Sequence, residues 1–407
     1  MTPSLAQRIA VTIGALLLFR LGEYIPLPGV NAEAWAMLAR GEGSGIAGIL
    51  AASSGGVRRL AIFALGLVPY VSAAVLVQLA TIVSPRLRAR ARDGERGRAA
   101  MIRYARYFTV LLTAAQAWGV ANGLEHVSGV VAHPGPLFVL STVVTLTGGT
   151  MFLTWLADQI TARGIGNGIA LILLTGIVAE LPAEIAAALE FMRQYRVASE
   201  QIVVVALIVI AVAAAVVAME LARRRLPILF SARAVGTHQL DERKSDLSLK
   251  LNPAGIVPVL LASFVMAILV TGIGFFAGFD SGLITQLRPA NSVYLALYPL
   301  LIILGTFFYT ASVLDPDESA ESLRRFGGSL PGIAPGEPTA ACLDQIVSRT
   351  TLIGALYLAL VCLLPDLLLR YLQVPVYFGG TALLITVCAL IDLRAQFQAE
   401  VRSPARP

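Results

Sequence analysis

Charge is scarce in this sequence. Asp, Glu, Lys and Arg make up 14% of its 407 residues, and 57% are hydrophobic. A soluble domain carries about 25% charged residues. With a mean hydropathy of +0.77, the chain is read as an integral membrane protein rather than a soluble one. Histidine and cysteine are rarer still, with three of each. His126, His133 and His238 fall in polar connections, and neither HExxH nor CxxC spacing occurs. Metal catalysis and a disulfide framework therefore have no sequence support. Cys362 and Cys388 lie in apolar segments and, with Cys342, read as small packing residues. No GxxxxGK[ST] run is present, so the chain does not supply its own nucleotide-driven energy. No intramembrane Asp pair and no Ser-Lys or Ser-His candidate marks a hydrolase. The expectation is a protein that is not an enzyme and has no cofactor and no metal.

What the chain has in abundance is long apolar runs. A bilayer span needs about 20 mostly apolar residues. Ten candidates meet that description, at 7–24, 61–83, 105–124, 137–157, 165–182, 201–219, 254–276, 292–314, 350–369 and 373–391. Nothing before them reads as a cleaved leader, and the first is taken as a retained helix. Arginine and lysine set the orientation, because basic loops stay cytoplasmic. The connection 84–106 carries eight arginines and 220–251 carries seven Lys or Arg, whereas 123–136 carries none and 275–291 and 370–372 carry one each. Alternate loops are basic and both termini lie on the basic side. The run "RLRARARDGERGR" (Arg86 to Arg98) accordingly reads as a cytoplasmic loop near anionic lipid, not as a nucleic-acid site. Ten spans divide into two halves of five, and an odd number per half inverts the second half relative to the first.

Several spans are interrupted. Gly66 and Pro69 lie in the second, Gly164, Gly166 and Gly168 head the fifth, and Pro253 and Pro258 open the seventh. In lipid, backbone groups freed by such breaks need internal partners or a water-filled cavity. Beside these breaks stand two apolar pairs at i, i+4 spacing, Leu67 with Val71 and Ile169 with Leu173. Each pair stacks on one helix face. A ring of such side chains makes a hydrophobic constriction that seals by excluding water. A further apolar piece, Ile46 to Ala52, is flanked by glycines and is too short to cross a membrane.

Six stretches, in order along the chain, resemble the SecY family. They are "FRLGEYIPLPGV" (Phe19 to Val30), "IFALGLVPYVSAAVLVQL" (Ile62 to Leu79), "GTMFLTWLADQITARGIGNGIALILLTGIVAELP" (Gly149 to Pro182), "LKLNPAGIVPVLLAS" (Leu249 to Ser263), "FFYTASVLDPDESAESLRRFGGSLPGIAPGEPTA" (Phe307 to Ala340) and "VPVYFGGTALLI" (Val374 to Ile385). The resemblance implies an all-α membrane protein with ten transmembrane helices, in two inverted five-helix halves around an hourglass pore. The halves would be 1–200 and 201–407, with cytoplasmic loops at 220–251 and 315–349. It implies a protein-conducting channel that passes secretory polypeptides across the membrane. Apolar segments would leave sideways into lipid through a gate between helices two and three and helices seven and eight. Carried over position by position, the pore ring falls on Leu67, Val71, Ile169, Leu173, Leu260 and Ile385. The physical logic is a gasket of flexible apolar side chains that fits an extended chain and excludes dehydrated ions.

The short apolar piece then corresponds to a re-entrant plug over 45–59, with Ile46, Ile49 and Leu50 at its core. Ser72, Gln78, Gln116 and Ser263 are polar candidates for the gate seam. Arg233, Lys250, Arg324, Arg325 and Ala334 lie in the loops that would dock cytoplasmic partners. The implied partners are SecE-like and SecG-like small subunits, a SecA-like motor ATPase or the ribosome, polypeptides bearing signal sequences, and anionic phospholipid, with no nucleic acid bound directly. The implied location is a bacterial inner membrane, multi-pass, with both termini cytoplasmic. The departures lie on the cytoplasmic face. Only Met1 to Gln7 precede the first helix, "GTHQLDERKSDLSLK" is shorter and more acidic than the family's basic tip, no long basic tail follows helix ten, and Ala334 stands where the family typically carries an arginine. These features point to a divergent or accessory member. The competing class is a multi-span secondary transporter for a small solute, which would place ionisable residues at mid-membrane. Here the spans are almost free of charge, with Arg20 and Glu23 near one helix end and Asp392 closing the tenth.

Overall fold

The structure, a computed structural model, describes residues 5–31, 33–35, 60–91, 93–127, 129–194, 199–230, 244–277, 282–287, 289, 291–372 and 379–402. Its helices in chain order are α1 (Leu5–Gly22), α2 (Val68–Val83), α3 (Pro85–Ala91), α4 (Gly94–Glu125), α5 (Pro136–Arg163), α6 (Gly168–Gln194), α7 (Ser199–Leu221), α8 (Val257–Ala277), α9 (Gly282–Gln286), α10 (Ser292–Val313), α11 (Pro316–Arg325), α12 (Glu337–Leu372) and α13 (Gly380–Arg402). A long helix stands at each of the ten predicted spans, as it must where lipid offers no partner to backbone N–H and C=O groups. By length and composition, α5, α7, α8, α10, α12 and α13 are each able to cross a bilayer, and the bent pair α2–α3 makes a seventh. In α4 the basic run occupies the first turns, and in α6 the apolar part is shorter, Gly168–Ala183.

Several boundaries differ from expectation, α6 and α13 among them by running on to Gln194 and Arg402, and three have a local reason. The second span was expected from residue 61, but α2 begins at Val68, with Leu67 as its N-cap and Pro69 in the first turn. Proline is tolerated there because its missing N–H would have had no helical partner. Gly66 precedes it at φ +57°, a backbone conformation that favours glycine. The basic run expected as a connection is largely helical, forming α3 and the start of α4. The ninth span was expected at 350–369, but α12 runs 36 residues from Glu337, because its first turns extend below the apolar stretch.

Helix faces in contact carry small residues, which let backbones approach in lipid. On α4 the buried positions include Ala105, Thr109, Thr113, Ala117 and Ala121. The hydroxyls among them are satisfied locally. Thr109 donates to the Ala105 carbonyl and Thr113 to that of Thr109, each at 2.7 Å. The described apolar residues gather in three clusters within the helical body. One joins α4 and the start of α5 to the chain near Leu27, Trp35 and Leu60. A second joins α1, α5 and α6, with Ala389 and Leu393 of α13 added. The third is built from α7, α8, α10, α12 and α13.

The fold also contains a small sheet, which the all-helical expectation did not include. β1 (Arg223–Phe230) pairs antiparallel with β2 (Lys244–Lys250), placing Arg223 opposite Lys250 and Leu226 opposite Leu247. β3 (Gly328–Ser329) pairs with the other edge of β1, through Leu229 and Phe230, giving the order β2-β1-β3. Leu226 and Leu247 pack with Ala320, Leu323, Ala340 and Leu343, fastening the sheet onto α11 and α12.

Candidate functional site

The six predicted ring residues share one structural property. All lie at the N-terminal start of a helix: Leu67 and Val71 on α2, Ile169 and Leu173 on α6, Leu260 on α8, and Ile385 on α13. Each start is held by local chemistry. At α2, the Val71 N–H donates to the Leu67 carbonyl at 3.0 Å. At α6, Asn167 Oδ1 accepts from the Ile169 N–H at 3.0 Å, and Thr161 Oγ1 accepts from the Gly168 N–H at 2.9 Å. A Cβ at Gly168 would lie 2.0 Å from the Ala157 carbonyl oxygen, so the α5–α6 corner closes only with glycine there. At α8, the buried Asn252 donates to Glu220 Oε1 at 2.9 Å and to the Gly255 carbonyl at 3.2 Å. At α13, Gly380 presses on the Val361 carbonyl, and Thr381 bonds the Tyr298 hydroxyl at 3.2 Å.

The structure brings Leu67, Ile169 and Leu173 into one apolar cluster. Leu67 and Leu260 are buried, while Val71 and Ile385 are half-buried and, like Leu260, stand outside the described clusters. The predicted plug, with Ile46, Ile49 and Leu50, lies outside the described residues, as does Arg233.

The predicted gate residues lie along a seam where α2 and α4 meet α8 and α10. Among the described residues, none of the apolar clusters crosses this seam. Ser72 is buried at 1% exposure, and its hydroxyl has no hydrogen-bond partner among the described residues. Gln78, on α2, forms a side-chain hydrogen bond with Tyr309 on α10, a partner the sequence reading did not find. Gln116 is half-buried on α4. Ser263 bonds the Tyr298 hydroxyl at 3.0 Å, so its partner is on the neighbouring α10 and not across the seam.

The predicted docking residues flank the sheet. Lys250 closes β2 and is exposed. Arg324 and Arg325 occupy the last turn of α11 and both pair with Glu321, at 3.0 and 3.3 Å. Asp315 caps that helix by accepting from the Asp317 and Glu318 N–H groups, so acids sit at its start and bases at its end, as the helix dipole favours. Their hydrogen bonds, from Arg324 first and then Arg325, hold the Glu321 carboxyl below the usual carboxylate range. Ala334 is exposed, and its carbonyl accepts from Thr339 Oγ1 at 2.9 Å.

Some of the charge in and beside the helices is paired. Arg20 is bonded to Glu23, reaches the Ala179 carbonyl at 3.4 Å and lies over the Tyr24 ring. Arg106 and Asp158 pair at 2.6 Å between α4 and α5. Asp366, inside α12 near Tyr294, Tyr298 and Cys362, is a carboxylate the sequence reading passed over. Among the described residues, no group of three His, Cys, Asp or Glu gathers as metal ligands.

This architecture is the multi-span helical fold of membrane channels. A solved protein-conducting channel matches it with a TM-score of 0.68 at 17% identity, covering 99% of this chain and 95% of that one. Sec61 in the canine ribosome-channel complex from the endoplasmic reticulum matches with a TM-score of 0.64 at 16% identity, over 99% and 95% of the two chains. In sequence, the SecY family pattern matches residues 61–394. The protein translocase subunit SecY of Escherichia coli (strain K12) is 40% identical over 408 residues, spanning 98% of this chain and 92% of that protein. Its counterpart in Vibrio cholerae is 39% identical over 409 residues, with the same coverage. The chain belongs to the SecY family.

Proposed function

We propose that this chain is the channel-forming subunit of a protein translocase in a bacterial plasma membrane. It passes secretory polypeptides across the bilayer and releases apolar segments sideways into lipid. The supporting observation is the placement of the six ring residues, all apolar and all at the starts of α2, α6, α8 and α13, in a chain 40% identical to a protein translocase subunit. Leu67, Val71, Ile169, Leu173, Leu260 and Ile385 form the waist, and 45–59 the plug beneath it. Residues 1–200 and 201–407 are the two inverted halves, and the α2/α4–α8/α10 seam is the lateral gate. Both termini are cytoplasmic, which follows from the basic loops 84–106 and 220–251.

The chain does no chemistry of its own. Energy comes from a SecA-like motor or the ribosome, docking on the exposed loops around Arg233, Lys250, Arg324, Arg325 and Ala334. SecE-like and SecG-like subunits complete the channel, and anionic phospholipid lies against the basic face. Ala334 and the short 236–250 loop, in which acids balance bases, mark a divergent or accessory channel with an altered motor contact. The transporter alternative gains nothing from the relatives, which are translocase subunits.

The test is to stall a secretory chain in membranes bearing this protein and to probe disulfide crosslinks to single cysteines at Leu67, Val71, Leu260 and Ile385. Crosslinks that vanish with a defective signal sequence are the expected result. Their absence, while the Escherichia coli relative crosslinks in parallel, would sink the proposal.

A further inference from the structure

The seam described above is fastened by one contact closer than any side chain allows. If Gly119 of α4 carried a Cβ, that atom would lie 2.3 Å from Thr271 Cγ2, 3.7 Å from Thr271 Cβ and 3.9 Å from its Oγ1, all on α8. Cβ atoms essentially never sit within 3.0 Å of another heavy atom. Glycine is therefore required at 119 for these two helices to keep this spacing. Rotation of Thr271 gives limited relief, because two heavy atoms branch at a stiff Cβ. A mid-helix glycine also weakens its own helix, so the position favours close approach at the expense of helix stability.

Both residues lie within two turns of the C-termini of their helices. The Gln78–Tyr309 hydrogen bond lies within two turns of the C-termini of α2 and α10. Successive spans run in opposite directions, so the two contacts fall toward opposite faces of the membrane. Among the described residues, one end of the seam carries a close glycine approach and the other the Gln78–Tyr309 polar contact. No described apolar cluster bridges the stretch between them.

We infer that Gly119 and Thr271 set the resting closure of this seam, and that side-chain size at 119 determines how readily it parts for an apolar segment. The inference rests on the proposal that the seam is the lateral exit. An added methyl at 119 overpacks the contact, and overpacking shifts a packing equilibrium by about tenfold. The seam then rests more open, and less hydrophobic segments escape into lipid.

The experiment uses the full chain in membranes, with Cys342, Cys362 and Cys388 replaced by alanine, and a series of segments of graded hydrophobicity. Gly119→Ala is expected to move the half-release point toward less hydrophobic segments by the equivalent of about tenfold in the open-to-closed ratio. Thr271→Ser, which removes the offending Cγ2, is expected to return the double variant toward the parent. In a separate variant, Gly119→Cys with Thr271→Cys is expected to form a disulfide on oxidation, since Cβ atoms 3.7 Å apart fall within the range of native disulfides. That bond is expected to stop lateral release until it is reduced. An unchanged half-release point in Gly119→Ala overturns the inference. So does a shift that Thr271→Ser leaves in place, or a cysteine pair that stays reduced. A parent protein that releases no segment of any hydrophobicity overturns the lateral-exit reading itself, whether or not the disulfide forms.

Discussion

The chain before residue 200 meets the chain after it on two sides, and the two contacts are built differently. On one side α13 lies against α6, and Ala389 and Leu393 enter the cluster formed by Leu153, Ile160, Leu171 and Ile172. The α5–α6 loop joins this contact, with Leu393 Cδ1 standing 3.3 Å from where a Cβ of Gly166 would be. On the other side, α2 and α4 face α8 and α10 through a glycine–threonine approach, one Gln78–Tyr309 hydrogen bond and a buried Ser72 hydroxyl without a described partner. In lipid, burying Leu against Leu gains little over burying it in acyl chains, so association depends on close packing and on hydrogen bonds. The two sides therefore differ in kind: among the described residues an apolar cluster joins α6 to α13, and none joins α2 and α4 to α8 and α10. On the proposed reading, the side joined by the apolar cluster is the one that stays closed, and the side without one is the one that parts.

Four substitutions bear on that contrast, taken from the largest expected effect to the smallest. Ala389→Asp places a carboxylate in the packed side, where Ala389 is 5% exposed. Insertion scales put a charge at mid-membrane at about 2.5–3.5 kcal/mol, so a steep fall in membrane-inserted protein on immunoblots is expected. Normal accumulation would show that this side is not a tight contact. Leu171→Ala removes side-chain volume from the same cluster at about 2–5 kcal/mol. It is expected to lower the unfolding temperature in detergent while leaving the hydrophobicity needed for lateral release unchanged. A shift in that threshold would mean that the two sides are not independent.

On the seam, Gln78→Leu and Tyr309→Phe each remove a bond of the kind worth about 0.6 kcal/mol in membrane helices. Each is expected to move the release threshold by less than threefold, with no further change in the double variant. Additive shifts would show that the two residues do not act as a pair. The smallest effect lies remote from both sides. Arg324 and Arg325 lower the Glu321 pKa, so their pairing with Glu321 is complete above the ordinary carboxylate range and is lost only as pH falls through the lowered value. An NMR titration of Glu321 is expected to move up on Arg324→Ala with Arg325→Ala, with no change in stability or release.

The ten long helices were legible in the sequence because each apolar run is long enough to span and is bounded by polar chain. The helix starts that carry the six ring candidates were legible for a less obvious reason. Gly66 and Pro69, Gly168, and Pro253 with Pro258 mark where helices begin, and the ring residues stand at those beginnings. The family resemblance supplied Leu260 and Ile385, which periodicity alone did not single out. The sheet was hidden because "RRRLPILF" and "KSDLSLK" look like charged loop, and the Leu226–Leu247 pairing exists only in register across the two strands. Gly119 was hidden because glycine is common in membrane helices, and its meaning depends on Thr271 on a distant helix. Asp366 escaped notice as a single carboxylate in a long apolar run. The gate role expected of Ser263 took no account of Tyr298, the nearer partner on α10.

The three-stranded sheet has a mechanical consequence. β1 continues from α7, β2 leads into α8, and β3 lies between α11 and α12. Two loops far apart in sequence therefore share one handle, bolted to α11 and α12 by Leu226, Leu247 and Leu343. A load applied to either loop reaches α7, α8 and α12 together, as torque on one stiff lever. Because α8 forms one wall of the seam, force gathered at the membrane surface has a continuous path to the Thr271 contact.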